Sequence, residues 1–165
     1  MKISASEVEQ RMKVFETVCR SEKIKLTHQR IEIFREVAQT WDHPDAEQIF
    51  QRVRSRIPTV SLDTVYRTLW LLKDIGLVVT LGSSRERTRF DANLSSHHHF
   101  VCGRCGLTRD FYSSDLDNIN LPESVVSFGE IDATHVEVRG ICRECVEKGR
   151  SRNVSTTTQQ SEETI

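Results

Sequence analysis

No stretch of this 165-residue chain approaches the ~18 consecutive apolar residues that a membrane-spanning helix needs. The N-terminus, "MKISASEVEQRMKVF", lacks an apolar signal core and a small-residue cleavage site, so the expectation is a soluble cytoplasmic protein with no membrane partner. No repeat of solenoid period occurs, which removes stacked-repeat architectures. HExxH is missing, as is an HxE motif followed by PCxxC, so zinc hydrolases and deaminases lose their machinery and no enzyme is expected. An excess of charge is missing too, with a net value of −1. That value hides a division: residues 1–91 carry 16 Lys+Arg against 13 Asp+Glu (+3), and residues 92–165 carry 7 against 11 (−4). A basic front and an acidic back suit a DNA reader joined to something else.

What is present in the front half is helical periodicity with recognisable starts. Val8, Met12, Phe15 and Cys19 recur at helical spacing, and Cys19 reads as a small buried apolar residue. Thr27 is placed to cap a helix that turns Ile31, Ile33, Phe34 and Val37 inward. Asp45 with Gln48 three residues on forms a capping-box pattern, and Pro58 stops the helix that follows. Ser61 caps a fourth helix of about four turns, striped by Leu62, Val65, Leu69 and Leu72 and ended by Gly76. Next, "LVVTLGSSRERTRFD" reads as a hairpin, so residues 1–91 outline a winged helix-turn-helix. From Asn93 the runs "HHHFVC", "GLTRDFY", "VVSFGEI" and "THVEVRGIC" read as short strands, and "SSDLDNINLPESV" has room for a short helix. The fold class is therefore α/β of the α+β kind: a winged helix at 1–91, a second domain at 92–149, and a polar tail at 150–165 expected to be disordered.

Four of the five cysteines form two CxxC pairs, Cys102/Cys105 and Cys142/Cys145, separated by 36 residues. In a reducing compartment such pairs mark metal more often than disulfide, and four thiolates make a closed tetrahedral Zn(II) site. Thioredoxin-type chemistry wants the motif opening a helix in a βαβ unit, which is missing here. Four thiolates already fill a site, so the three histidines need another account. If "HHHFVC" is extended, His97, His99 and Val101 share one face, and His98, Phe100 and Cys102 the other. His97 and His99 can then share a second ion while Cys102 points to the first. Asp91, Asp110 and His43 are candidates to complete it. Nitrogen and carboxylate oxygen donors are harder than thiolates and suit Fe(II), Mn(II) or Zn(II).

Taken in order, "LTHQR", "HPDAEQIF", "SLDTVYRTLWLLKDIGLV", "RFD", "HHHFVCGRCG" and "GICREC" resemble the ferric uptake regulator family of metal-dependent bacterial repressors, over about residues 20 to 148. The resemblance implies a homodimer on a double-stranded DNA operator, with a dimerisation domain after the winged helix. It implies that Cys102, Cys105, Cys142 and Cys145 hold a structural Zn, and that His43, Asp91, His97, His99 and Asp110 hold a regulatory Fe(II) or Mn(II), with Zn(II) as the alternative. Many iron-sensing members have Glu at the positions of Asp91 and Asp110, whereas the peroxide-sensing branch has Asp at both, so the resemblance leans towards peroxide. In that reading peroxide oxidises His43 or His97. "TVYRTL" is closer to the iron- and zinc-sensing members, in which occupancy alone is the signal. For DNA, the resemblance points to Tyr66 and Arg67, with Ser61 and Thr64 near the helix start, Arg85, Arg87 and Arg89 on the wing, and Lys25 and Arg30 as weaker candidates. A further site found in some members matches poorly: Ser96 stands where a ligand His is often found, His135 is one residue out of register, and His98 and Asp117 remain. A thiol-based zinc redox switch is the rival of another class. A zinc-ribbon interaction module leaves the winged-helix pattern unexplained.

Overall fold

The computed structural model describes residues 3–81, 88–131 and 134–156, the stretch 150–156 by its backbone alone. The chain divides between Ser95 and Ser96 into two compact units.

The first unit holds four helices, α1 (Ala5–Ser21), α2 (His28–Ala38), α3 (Ala46–Arg54) and α4 (Leu62–Asp74), followed by strands β1 (Val79–Leu81) and β2 (Arg89–Asp91). Each helix starts where a side-chain oxygen accepts one of the unpaired amides of the first turn: Ser4 from Glu7, Thr27 from Arg30, Asp45 from Gln48, and Ser61 from Thr64. At Asp45 the box is complete, because the Gln48 side chain reaches back to the Asp45 amide. The ends are chemical too. Gly76, at φ +72°, closes α4 in a Schellman motif, with Leu77 N–H donating to Leu72 O (2.8 Å) and Gly76 N–H to Lys73 O (2.9 Å).

Apolar faces then decide how the helices meet. Phe15 of α1 stacks on Phe34 of α2 with ring centroids 4.5 Å apart. Ile33, Ile49, Val53, Val65, Leu69 and Leu72 are fully buried between α2, α3 and α4. Phe90 on β2 and Leu77 close the same core, so the hairpin is held to the helices by burial as well as by pairing. Two carboxylates of α2, Glu32 and Glu36, are buried beside it and share the Arg56 guanidinium, at 2.8 and 2.5 Å, while Glu32 also accepts from Arg35 and Glu36 from Gln39 (2.7 Å). β1 and β2 pair antiparallel with Thr80 opposite Phe90, as the hairpin pattern requires. The wing tip, with Arg85 and Arg87, lies outside the described residues.

The second unit is a three-stranded sheet in the order β4-β3-β5, built from β3 (His98–Cys102), β4 (Thr108–Phe111) and β5 (Glu137–Gly140), with short helices α5 (Ser114–Asp117) and α6 (Glu123–Val126) and a final helix α7 (Arg143–Thr156). β3 is central, antiparallel to β4 and parallel to β5. One expectation is corrected here. "VVSFGEI" is not a strand: Val125 and Val126 belong to the one-turn α6, in which the Ser127 amide donates to Glu123 O (2.9 Å). β-branched residues favour strands only where a neighbouring edge receives them, and Pro122, already near φ −65°, starts a helical turn instead. The backbone of α7 runs on to Thr156, and residues 157–165 of the expected tail lie outside the described residues. Propagation adds one hydrogen bond per residue fixed, and residues 150–156 contain neither Gly nor Pro. Among the described residues no helix is long and apolar enough to cross a membrane.

A Cβ at position 76 would meet nothing within 4 Å, so Gly76→Ala isolates the left-handed backbone term. Urea denaturation should show a loss of about 1–2 kcal/mol with an unchanged m-value.

Candidate metal centres and nucleic-acid interface

Among the described residues of the second unit the buried apolar cluster consists of Cys102, Cys142 and Cys145, with Phe100 and Leu107 packed partly against it. That is too little to order the unit by burial alone. Backbone geometry brings the thiols together. Cys102 ends β3 and Cys105 lies in a tight turn closed by Gly106 N–H to Cys102 O (2.9 Å), with Gly106 at φ +70°. Cys142 and Cys145 open α7, just past β5, whose register sets Gly140 beside Cys102. All four Sγ atoms lie within 4.8 Å of one another, and Cys105 Sγ stands 3.7 Å from Cys142 Sγ. A disulfide would need about 2.05 Å, whereas the edge of a tetrahedron with Zn–S of roughly 2.3 Å is about 3.8 Å. The residues fit Zn(II).

Their proton chemistry agrees. Backbone N–H groups of Cys142 and Cys105 hold the Cys102 thiol down to about 6, while burial and the neighbouring thiols push Cys145 up to about 12. Four sulfurs so close cannot all ionise on their own account, and a divalent cation is the charge that lets them.

A harder donor set lies further along the same strand. The alternation of β3, carried back to His97 just before the strand, puts the His97 and His99 rings on one face, with their Nε2 atoms 2.9 Å apart. Ligands in neighbouring positions around an ion at about 2.1 Å stand about 3.0 Å apart, so this spacing suits joint coordination. The β3/β4 register pairs His99 with Asp110, whose Oδ1 lies 3.6 Å from His99 Nε2 and 4.0 Å from His97 Nε2. His98 points the other way and is fully buried. Its Nδ1 accepts from the Val136 amide (3.2 Å), and its Nε2 faces Ser113 O and Asp117 Oδ1, each at 3.4 Å. Ser96 donates to the same Asp117 carboxylate at 2.5 Å.

The first unit holds its own buried pair. His43, between α2 and α3, has φ +44°, a conformation that costs a non-glycine residue about 1–3 kcal/mol. β2 over-determines it. Arg89 Nη1 donates to the carbonyls of Asp42 (3.3 Å) and His43 (3.2 Å), and the Phe90 amide donates to Pro44 O (3.1 Å). Asp91, at the end of β2, then sits with Oδ1 3.7 Å from His43 Nδ1, and both side chains are buried. Asp91 is oriented by accepting from the Asn93 amide at 2.8 Å. A strained, buried imidazole beside a buried carboxylate is the arrangement expected of metal donors.

On α4 the face opposite the buried stripe carries Tyr66, half-exposed, and Arg67, largely exposed. Ser61 is engaged in capping: its Oγ accepts from Thr64 N–H (3.1 Å) and lies 2.8 Å from Thr64 Oγ1, which ties both hydroxyls to the helix start. Trp70 is half-exposed on the outer side, its ring edge-on to Phe90 and with Lys73 Nζ 5.5 Å from its centroid. Reading the sequence passes over Asp63, which pairs with Arg67 at 3.0 Å. The signal that finds it is the i,i+4 spacing of opposite charges.

A winged helix with an exposed polar reading face, joined to a thiolate knuckle and a separate nitrogen-and-carboxylate cluster, defines a metal-responsive DNA-binding regulator. The sequence pattern of the ferric uptake regulator family matches residues 21–139, and the chain belongs to that family. It is 36% identical over 129 residues to the peroxide-responsive repressor PerR of Staphylococcus epidermidis, covering 76% of this chain and 84% of that protein. With the peroxide-responsive repressor PerR of Staphylococcus aureus the identity is 32% over 151 residues, 90% of this chain and 100% of that protein. The fold is that of the Helicobacter pylori ferric uptake regulator Fur, a structure described as having three functional metal binding sites, with TM-score 0.69 at 20% identity over 88% of this chain and 97% of that one. The chain is a metal-dependent repressor of this family, which is one of transcriptional regulators and not of enzymes.

Zinc bound by thiolates contributes about 10–16 kcal/mol, as much as the whole stability of a small domain, about 5–15 kcal/mol. Cys142→Ser should therefore lose tightly held zinc and abolish slow amide hydrogen exchange across residues 96–149, while residues 3–81 keep theirs. Zinc analysis with peptide-resolved exchange checks this.

Proposed function

We propose that this protein represses transcription as a homodimer on a double-stranded DNA operator in the cytoplasm, and that one Fe(II) or Mn(II) ion on His43, Asp91, His97, His99 and Asp110 licenses binding. Cys102, Cys105, Cys142 and Cys145 hold a permanent Zn(II), and residues 1–91 and 92–149 are the reading and pairing domains. The observation that carries this reading is the pair of incomplete donor sets. A buried His/Asp pair belongs to the DNA-reading unit and a His/His/Asp cluster to the other, and neither fills a coordination sphere alone. An ion that binds both sets together favours one arrangement of reader and partner domain, and two reading helices must match half-sites on one face of DNA. Pairing of two copies is supported by the apolar side chains the second unit leaves outside, among them Phe128 at 86% exposure, Val126 and Tyr112.

Peroxide is the signal favoured by the donor chemistry and by the two PerR relatives, both above 30% identity. Both carboxylate donors are Asp. When bound, iron supplies the chemistry by which one peroxide oxygen is transferred to an imidazole carbon, with water as the other product. By the family resemblance His43 and His97 are the side chains that receive it, and an oxidised ring is a poorer donor. In the reading in which only metal level is sensed, both rings stay intact.

Two measurements test this. Replacing His97 and His99 together by Ala should abolish the metal-dependent gain in operator affinity, on the order of 5- to 150-fold for a coupling of this kind, while zinc content and dimer mass are retained. An unchanged gain would sink the proposal. Mass spectrometry of Fe(II)-loaded protein after peroxide should find one added oxygen on the peptide of His43 or of His97, and none when Mn(II) replaces Fe(II). Disulfides with zinc release and unmodified histidines would favour a thiol switch.

A further inference from the structure

Asp63 lies in the first turn of α4, one residue before Thr64 and on the face turned away from the buried stripe of Val65, Leu69 and Leu72. Its Oδ2 is 3.0 Å from Arg67 Nε, and the two side chains are 68% and 80% exposed. An acid here is awkward for a protein that reads DNA, because the phosphates are negative and residues 1–91 have only +3 to spend on them. As a surface ion pair it contributes little to stability. Its geometry does something else. A guanidinium offers five N–H groups in a fixed plane, and an acceptor on Nε leaves the Nη1/Nη2 edge as the open bidentate fork. That edge is what the O6 and N7 atoms of guanine accept from in the major groove.

We propose that Asp63 is a positioning residue for base recognition: it holds Arg67 Nε so that the Nη1/Nη2 edge is presented to guanine. The inference rests on the reading that α4 enters the major groove. Asp63 contacts no base itself. Its negative charge is offset because an Arg67 fixed in one rotamer loses less freedom on meeting its base.

The test uses full-length, zinc- and Mn(II)-loaded protein and a duplex pool randomised across both half-sites, from which wild type, Asp63→Ala, Asp63→Asn and Arg67→Ala each select. Far-UV circular dichroism and melting midpoints establish that all four are folded. Wild type should enrich guanine at one position of each half-site, and Arg67→Ala should lose that preference. Asp63→Ala should lose it at the same position, by roughly 5- to 150-fold in guanine over adenine, with the other positions unchanged. Asp63→Asn, which keeps an acceptor oxygen within reach of Nε, should restore part of it. Replacing that guanine by 7-deazaguanine should weaken wild type and leave Asp63→Ala unaffected.

The opposite result is as clear. If Asp63 is only a misplaced charge, Asp63→Ala will bind every duplex more tightly, with a steeper salt dependence and the wild-type base preferences, and the proposal is overturned. It is overturned too if Arg67→Ala keeps the guanine preference. Failure of the wild type to select any duplex would instead overturn the repressor reading beneath it.

Discussion

A second unit with three cysteines at its centre and two half-buried apolar side chains around them needs a cross-link before it can present anything in a fixed place. The four sulfurs within 4.8 Å of one another offer that link. They join the end of the central strand β3 and the turn after it to the start of α7, elements distant in sequence, and so close a long loop whose entropy would otherwise oppose the parallel pairing of β3 with β5. Everything that β3 carries depends on this. His97 and His99 can stand 2.9 Å apart only if the strand is extended and its register with β4 keeps Asp110 alongside.

The first unit reaches the same end by ordinary means. Its four capped helices bury a continuous core, and that core is stiff enough to hold His43 at a positive φ that the residue would not choose alone. The strain is local, and the restraint comes from β2, whose Arg89 and Phe90 bond to the backbone around His43 while Asp91 lines up beside it. One short strand therefore serves as the stalk of the wing, as part of the core through Phe90, and as the carrier of a donor. In the proposed switch, the wing and the donor pair cannot move independently.

How much of this was legible in the chain depends on how local the cause is. Thr27, Asp45 and Ser61 cap as read, because a cap is settled by the four residues that follow it. The thiolate cluster and the split of His97 and His99 from His98 follow from spacing and from the two-residue period of a strand. "VVSFGEI" misled because strand preference is a statement about neighbours that the segment itself does not contain. Asp63 was missed for another reason. Attention to apolar stripes passes over exposed side chains, and an i,i+4 ion pair acquires meaning only once its arginine is given something to read.

The two donor chemistries in one chain divide the labour by exchange. Four thiolates bind a borderline ion in a closed tetrahedron and leave no open position, so that ion is part of the fold. Imidazole and carboxylate bind harder ions less exclusively, and selectivity then falls to geometry and metal supply. If those donors all lay on one rigid unit, the ion would bind and change nothing, since a ligand with equal affinity for two arrangements shifts neither. In the proposed switch, donors split between units would give an ion differential affinity for the arrangement that completes its shell. Such a split would weaken binding by whatever bringing the units together costs, and the same cost would make occupancy readable at the DNA.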